Sequence, residues 1–193
     1  MNRPYKFSIG DVHFVGAYTK ETVLAAQNYQ GSPDDIYLST YPRSGTTWVQ
    51  NFLIGLVYGC DALRDTKNFD EIFPYLEVDL NGVRGYEEAE KSLRRARLLK
   101  THLPPHMAPS QLVFENRKQI IVVRNPKDVA LSLFQFYQKQ PVLKAALENK
   151  DLRAFLDDFL VGNVLYGSWW NWIDAWLRKY WANSMHYNFS PPC

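Results

Sequence analysis

Apolar positions along the chain switch between two spacings. From Lys6 to Val15 they alternate, most clearly in Val12-His13-Phe14-Val15, and the break at Ile9-Gly10-Asp11 predicts two short strands. Glu21 to Tyr29 carries a short helical pattern that stops at Gly31-Ser32-Pro33. Ile36 to Tyr41 is a β-rich run. Val49, Phe52, Leu53, Leu56 and Val57 then recur at helical spacing, which predicts strand, tight turn and a helix over about 45–58, with Gly59 just past its end. Residues 61–86 have little period. Phe69, Ile72, Phe73, Tyr75 and Leu76 cluster around Pro74 and read as packing or as one wall of a pocket. A short charged helix is expected over 87–95. Arg97–Thr101 and Gln119–Val123 are further strands, stopped by His102-Leu103-Pro104-Pro105 and by Arg124-Asn125-Pro126. Helices follow over 127–137, 152–160 and 167–180. Trp169, Trp172, Ile173, Trp176 and Leu177 make the stripe of the last one and read as core.

Strands alternating with helices predict an α/β fold with a mainly parallel sheet. Ligands of such sheets bind beyond the carboxyl ends of the strands. Three strand ends here carry Arg43-Ser44, Lys100-Thr101-His102 and Arg124-Asn125. If the strands are neighbours, three cations and a histidine share one crevice.

Composition narrows the choices. The 193 residues suffice for one well-buried domain, and 46% hydrophobic with 22% charged residues is ordinary globular usage. A formal net charge of +2 argues against nucleic acid as the main partner, so any basic site is local. Cys60 and Cys193 form no metal-ligand pattern and read as free thiols of a reduced compartment. No apolar run reaches membrane-spanning length and Met1-Asn-Arg-Pro leads into no secretory segment, so a cytoplasmic protein without a membrane partner is expected.

The chemistry concentrates in Tyr41-Pro-Arg-Ser-Gly-Thr-Thr-Trp48. A strand–turn–helix start directs unpaired amide N–H groups and the positive end of a helix dipole at one point, where a phosphate belongs. Gly45 lets the backbone approach a ligand closely, Ser44, Thr46 and Thr47 add hydroxyl groups, and Arg43 adds a fixed charge. The competing reading is an ordinary βα turn closed by a Ser/Thr cap. The nucleoside-triphosphate P-loop does not fit, because Gly45 has no glycine five residues earlier and the cation precedes it. A nucleotide kinase is disfavoured for that reason.

At its three strand ends the chain resembles the cytosolic sulfotransferases. The resemblance rests on Tyr41–Trp48, on Leu99-Lys-Thr-His-Leu-Pro104, and on Val123-Arg-Asn-Pro-Lys-Asp-Val-Ala-Leu-Ser132. Phe73-Pro-Tyr-Leu-Glu77 and Tyr166-Gly-Ser-Trp169 also resemble family segments, and the likeness covers about residues 8–180. It implies a P-loop-like three-layer fold around a central, mainly parallel sheet. It also implies transfer of a sulfuryl group from 3′-phosphoadenosine 5′-phosphosulfate to a hydroxyl or amine of a small acceptor such as a phenol, steroid or other alcohol. By the same resemblance His102 is the general base, and Lys100 and Arg43 support the transferring group. The turn at Arg43, Ser44, Gly45, Thr46 and Thr47 cradles the 5′-phosphosulfate, and Trp48 lies against adenine. Arg124 and Ser132 hold the 3′-phosphate, Tyr75 and Phe136 wall the acceptor pocket, and no metal is needed.

The chain departs from the family twice. Arg43 stands where the family usually has lysine, and arginine does not readily lose a proton. Beyond about Tyr180 the family pattern stops, so 1–193 is expected to be one C-terminally truncated domain with a divergent tail over 181–193. The family's homodimer segment and its Arg-Lys-Gly cofactor loop are not found. Exposed apolar faces on the helices over 152–160 and 167–180 are then expected, with weak or absent turnover. The alternative is a catalytically weak or inactive fragment that acts as a binding or regulatory protein.

Overall fold

The computed structural model describes residues 5–184 except 66–67, 81, 93, 95, 116 and 148–149. β1 (Phe7–Ile9) and β2 (Val12–Phe14) pair antiparallel, as the alternation predicts. α1 (Lys20–Asn28) starts at a capping box in which Thr19 and Thr22 each accept the other's backbone N–H at 3.1 Å. β3 (Ile36–Thr40) leads into α2 (Thr46–Tyr58), and Gly59 ends α2 at φ 88. The stretch without period folds as short pieces: α3 (Cys60–Asp65), α4 (Phe69–Ile72) and the two-residue strands β4 (Asp79–Leu80) and β5 (Val83–Arg84). The charged helix expected over 87–95 is α5 (Gly85–Lys91), which starts earlier and stops where Ser92 turns extended. β6 (Leu98–Thr101), a 3₁₀ turn (Pro105–Met107) and α6 (Ser110–Phe114) follow. Then come β7 (Lys118–Val122), α7 (Pro126–Lys139), α8 (Pro141–Leu147), α9 (Leu152–Val161) and α10 (Trp169–Ser184). The tail beyond Ser184, with His186 and Cys193, lies outside the described residues.

The central sheet has the order β6-β3-β7, all parallel, with Leu38 opposite both Lys100 and Ile120. The three strand ends singled out by sequence are therefore neighbours. On its outer side β6 is covered by the 74–76 segment, through Lys100 N–H to Pro74 O and Leu76 N–H to Lys100 O, both 3.0 Å. Gly85 is required there, because a Cβ would stand 1.8 Å from the Tyr75 carbonyl oxygen. Among the described residues β7 pairs with β3 alone.

The larger core gathers β2, α1, α7, α9 and α10 and includes Trp169, Trp172 and Trp176; a smaller one lies between α2 and the sheet. Two helical stripes differ from expectation. In α2, Gln50, Leu53 and Ile54 are buried, while Phe52 and Leu56 are exposed. In α10, Leu177 is exposed, as are Trp170, Tyr180 and Trp181. On α9, Phe155 and Phe159 are buried, while Leu160 and Val161 are exposed. Among the described residues no helix is long and apolar enough to cross a membrane.

Candidate active site at three strand ends

β3 delivers the chain into the turn. Tyr41 is buried and donates its hydroxyl to the Gly167 carbonyl at 2.7 Å, which anchors the strand end from beneath. Two of the next four residues have left-handed φ, Arg43 at 68° and Gly45 at 110°. A Cβ on Gly45 would touch no protein atom within 4 Å, so on the protein side it is the backbone angle that calls for glycine. A non-glycine residue at positive φ costs energy and is characteristic of ligand-binding turns. Gly45 caps α2 without any side-chain hydrogen bond, and the ladder begins with Val49 N–H to Gly45 O at 3.1 Å. The amides of residues 46–48 precede that bond. The ordinary capped turn that the sequence left open is therefore not formed. The Ser44 hydroxyl is buried and has no hydrogen-bond partner among the described residues, and Thr46 Oγ1 lies 2.7 Å from Thr40 Oγ1. A buried hydroxyl without a partner beside an uncapped helix start suits an anionic oxygen.

β6 supplies the second strand end. His102 Nδ1 is 2.5 Å from the Thr40 carbonyl oxygen and 3.0 Å from Thr40 Oγ1. A carbonyl only accepts, so Nδ1 carries the proton and Nε2 keeps its lone pair. The ring is held edge-on by Tyr75 at 4.8 Å and Tyr166 at 5.2 Å. Burial pulls this imidazole down to about 3 against the favourable Thr40 carbonyl, and the nearby Arg43 charge lowers it further. The backbone on either side is fixed as well. His102 N–H donates to Glu77 Oε1 at 2.7 Å, and the indole N–H of Trp172 donates to His102 O at 2.7 Å.

Lys100, two residues earlier, is 5% exposed and donates to Gln50 Oε1 at 2.8 Å and Asp70 Oδ1 at 2.6 Å. Burial lowers its ammonium, and Asp70 and Glu77 oppose that lowering. At the third strand end, Arg124 donates to the Arg43 carbonyl at 2.9 Å. Arg43 Nε donates to Ser132 Oγ at 3.1 Å, and its guanidinium lies 5.0 Å from the Phe136 ring centre.

Arg43, Thr46, Thr47, Tyr75, Lys100, His102 and Phe136 border one cavity of about 210 Å³. Ser44, Gly45, Trp48, Arg124 and Ser132 lie outside its wall. Trp48 is 75% exposed and lies parallel to Phe52, with ring centres 6.3 Å apart. A second cavity of about 280 Å³ is bordered by Asp70, Tyr75, Val78, Val83 and Glu88 and shares Tyr75 with the first. Among the described residues no group of three or more His, Cys, Asp or Glu side chains is placed to hold a metal ion.

Glu77 ends the Phe73–Glu77 segment and carries no role readable from its residue type. This carboxyl is fully buried, and its Oε1 accepts both the His102 N–H and the Tyr166 hydroxyl, the latter at 2.9 Å, while Oε2 has no hydrogen-bond partner among the described residues. Burial raises it from 4.5 to about 7, with the His102 N–H and the other hydrogen bonds pulling the opposite way. Folding thus favours the protonated acid. Its contribution to stability is complete below about pH 4.5 and is lost as pH rises through about 7. Glu77→Gln keeps an acceptor oxygen and removes the charge. Urea titrations at about pH 5 and pH 8 are expected to differ by about 2–3 kcal/mol less in Glu77→Gln than in the wild type. An equal pH dependence in the two chains contradicts this.

The Sulfotransferase domain model matches residues 33–189. Sulfotransferase 1A1 of Canis lupus familiaris is 36% identical over 162 residues, 82% of this chain and 53% of that protein. Sulfotransferase 1 family member D1 of Rattus norvegicus is 35% identical over 156 residues, 79% of this chain and 51% of that protein. The crystal structure of mouse sulfotransferase SULT7A1 complexed with PAP superposes with a TM-score of 0.69 at 28% identity, covering 86% of this chain and 55% of that one. The chain spans about half the length of the curated relatives it matches. Its parallel sheet, the uncapped turn after β3 and the matched span agree: the chain belongs to the sulfotransferase domain family.

Proposed function

We propose that the chain binds 3′-phosphoadenosine 5′-phosphosulfate at the turn after β3 and passes its sulfuryl group to a hydroxyl or amine of a small acceptor. In-line transfer of this kind depends on alignment and charge stabilisation more than on a protein nucleophile. The acceptor oxygen or nitrogen forms the new bond to sulfur as the bond to the 5′-phosphate oxygen breaks. The acceptor's proton goes to His102 Nε2, and adenosine 3′,5′-bisphosphate leaves.

The amides of residues 44–47 and the Ser44, Thr46 and Thr47 hydroxyls hold the 5′-phosphosulfate. Arg43 and Lys100 meet the charge on the transferring and leaving oxygens, Arg124 and Ser132 take the 3′-phosphate, and Trp48 takes the adenine. Tyr75 and Phe136 wall the acceptor, which fits an apolar phenol, steroid or other alcohol. The observation that carries this reading is the 2.5 Å contact between His102 Nδ1 and the Thr40 carbonyl, which supports an Nδ1–H ring with the Nε2 lone pair left for the acceptor's proton beside Lys100.

A second reading, a catalytically weak chain that acts as a binding or regulatory protein, is favoured by the exposed Trp170, Tyr180 and Trp181. Calorimetric titration with adenosine 3′,5′-bisphosphate, paired with sulfation assays over phenols and steroids, separates the two. Donor-dependent product that disappears in His102→Ala supports the enzyme. Binding with no product supports the second reading. A chain that neither binds nor turns over overturns both, and competition by ATP at equal affinity points away from a sulfotransferase site.

A further inference from the structure

Lys100 is a buried cation with three N–H donors and, among the described residues, two hydrogen-bond partners, Gln50 and Asp70. Of these only Asp70 carries charge. Asp70 sits on α4 at the wall of the second cavity, its side chain 43% exposed, yet it reaches Nζ of a lysine whose side chain is 7% exposed and borders the His102 cavity. The rings of Tyr75 and Phe73 lie 5.3 and 5.8 Å from Nζ and complete the enclosure. An ammonium removed from water in this way loses its charge readily unless a counter-charge stays in contact. Among the described residues, the other charged or titratable groups around it are Glu77, and Arg43, His102, Tyr18 and Tyr75 on the wall of the same cavity. Glu77 already serves the His102 N–H and the Tyr166 hydroxyl.

We propose that Asp70 is a positioning residue. Its carboxylate keeps the Lys100 ammonium charged and fixed at the edge of the His102 cavity, with the third N–H free for the group being transferred. The identity of that group rests on the sulfuryl-transfer reading above. Gln50 supplies direction, and Asp70 supplies the charge that Gln50 lacks. The sequence gives no hint of this pairing, because Asp70 lies 30 residues from Lys100 in a segment without period.

The test uses the full chain labelled with ¹³C-lysine, with Lys100→Arg to assign the Lys100 resonance. In Asp70→Asn the Lys100 titration midpoint is expected to fall by about one to three pH units, and in Asp70→Glu to recover most of that fall. At about pH 8 the preference for 3′-phosphoadenosine 5′-phosphosulfate over adenosine 3′,5′-bisphosphate is expected to drop about tenfold in Asp70→Asn. Affinity for the bisphosphate itself should stay unchanged, which a merely structural ion pair would not produce selectively. Normal donor binding with an unmoved Lys100 midpoint overturns the proposal alone. Tighter donor binding in Asp70→Asn also overturns it, because Asp70 would then restrain Lys100. Failure of the wild-type chain to bind either nucleotide overturns the donor reading and takes the positioning role with it.

Discussion

Arg97→Met is expected to cost about 3–5 kcal/mol of folding stability, seen as a large fall in the urea midpoint with an unchanged slope. Asp35 is fully buried just before β3. Arg97, just before β6, meets it with two contacts, Nε to Oδ1 at 2.8 Å and Nη2 to Oδ2 at 2.6 Å, and also donates to the Ala89 carbonyl at 2.9 Å. Removing the guanidinium leaves a buried carboxylate with, among the described residues, only backbone donors, from Ser32 at 2.6 Å and from Arg97 itself at 3.3 Å. The cost comes from that uncompensated charge more than from the net worth of the pair. Adding Asp35→Asn to Arg97→Met should therefore recover a good part of the loss. A double variant as unstable as the two single losses combined would show that the side chains act independently.

His102→Asn is expected to reduce sulfuryl transfer by about 10²–10⁴-fold while leaving bisphosphate affinity nearly intact. Asparagine can still donate toward the Thr40 carbonyl, so the strand end keeps its anchor, but it offers no basic nitrogen at the Nε2 position. The pH profile gives a second check. Burial holds His102 at about 3, below the ordinary 6.5, so the base is neutral throughout the neutral and mildly acidic range. The rate should show no acid limb between about pH 5 and 7, and the His102 ring resonances should not titrate there in the free chain. The stability this neutral ring contributes is present above about 6.5 and is lost as pH falls through about 3. A histidine titrating near 6.5 would contradict the effect assigned here to burial of the ring.

The sheet and the strand ends were legible because their signals are local. Ile36–Thr40, Leu98–Thr101 and Lys118–Val122 are short apolar runs ended by cations or prolines, and parallel pairing follows from the helices between them. The turn from Arg43 to Thr47 declared itself by residue type. What was not legible depends on partners distant in the chain. The apolar surface of α2 is wide enough that period alone cannot choose its buried half; the Gln50–Lys100 bond goes with one half, and Phe52 and Leu56 stay outside. α3, α4, α6 and the β4–β5 pair are too short to display a period. Glu77 did leave a trace, an acidic residue flanked by Leu76 and Val78, which is unusual for a carboxyl that ends fully buried. Asp70 left none.

The hydrogen bond from the Trp172 indole to the carbonyl of His102 gives the chain a built-in optical gauge. Emission from a buried indole responds to the strength of the bond its N–H makes, and this one ends on the backbone of the residue read as the base. A shift of that strand tip as a nucleotide arrives would change the colour of a single ring, and Trp172→Phe would identify which part of the fluorescence carries the message.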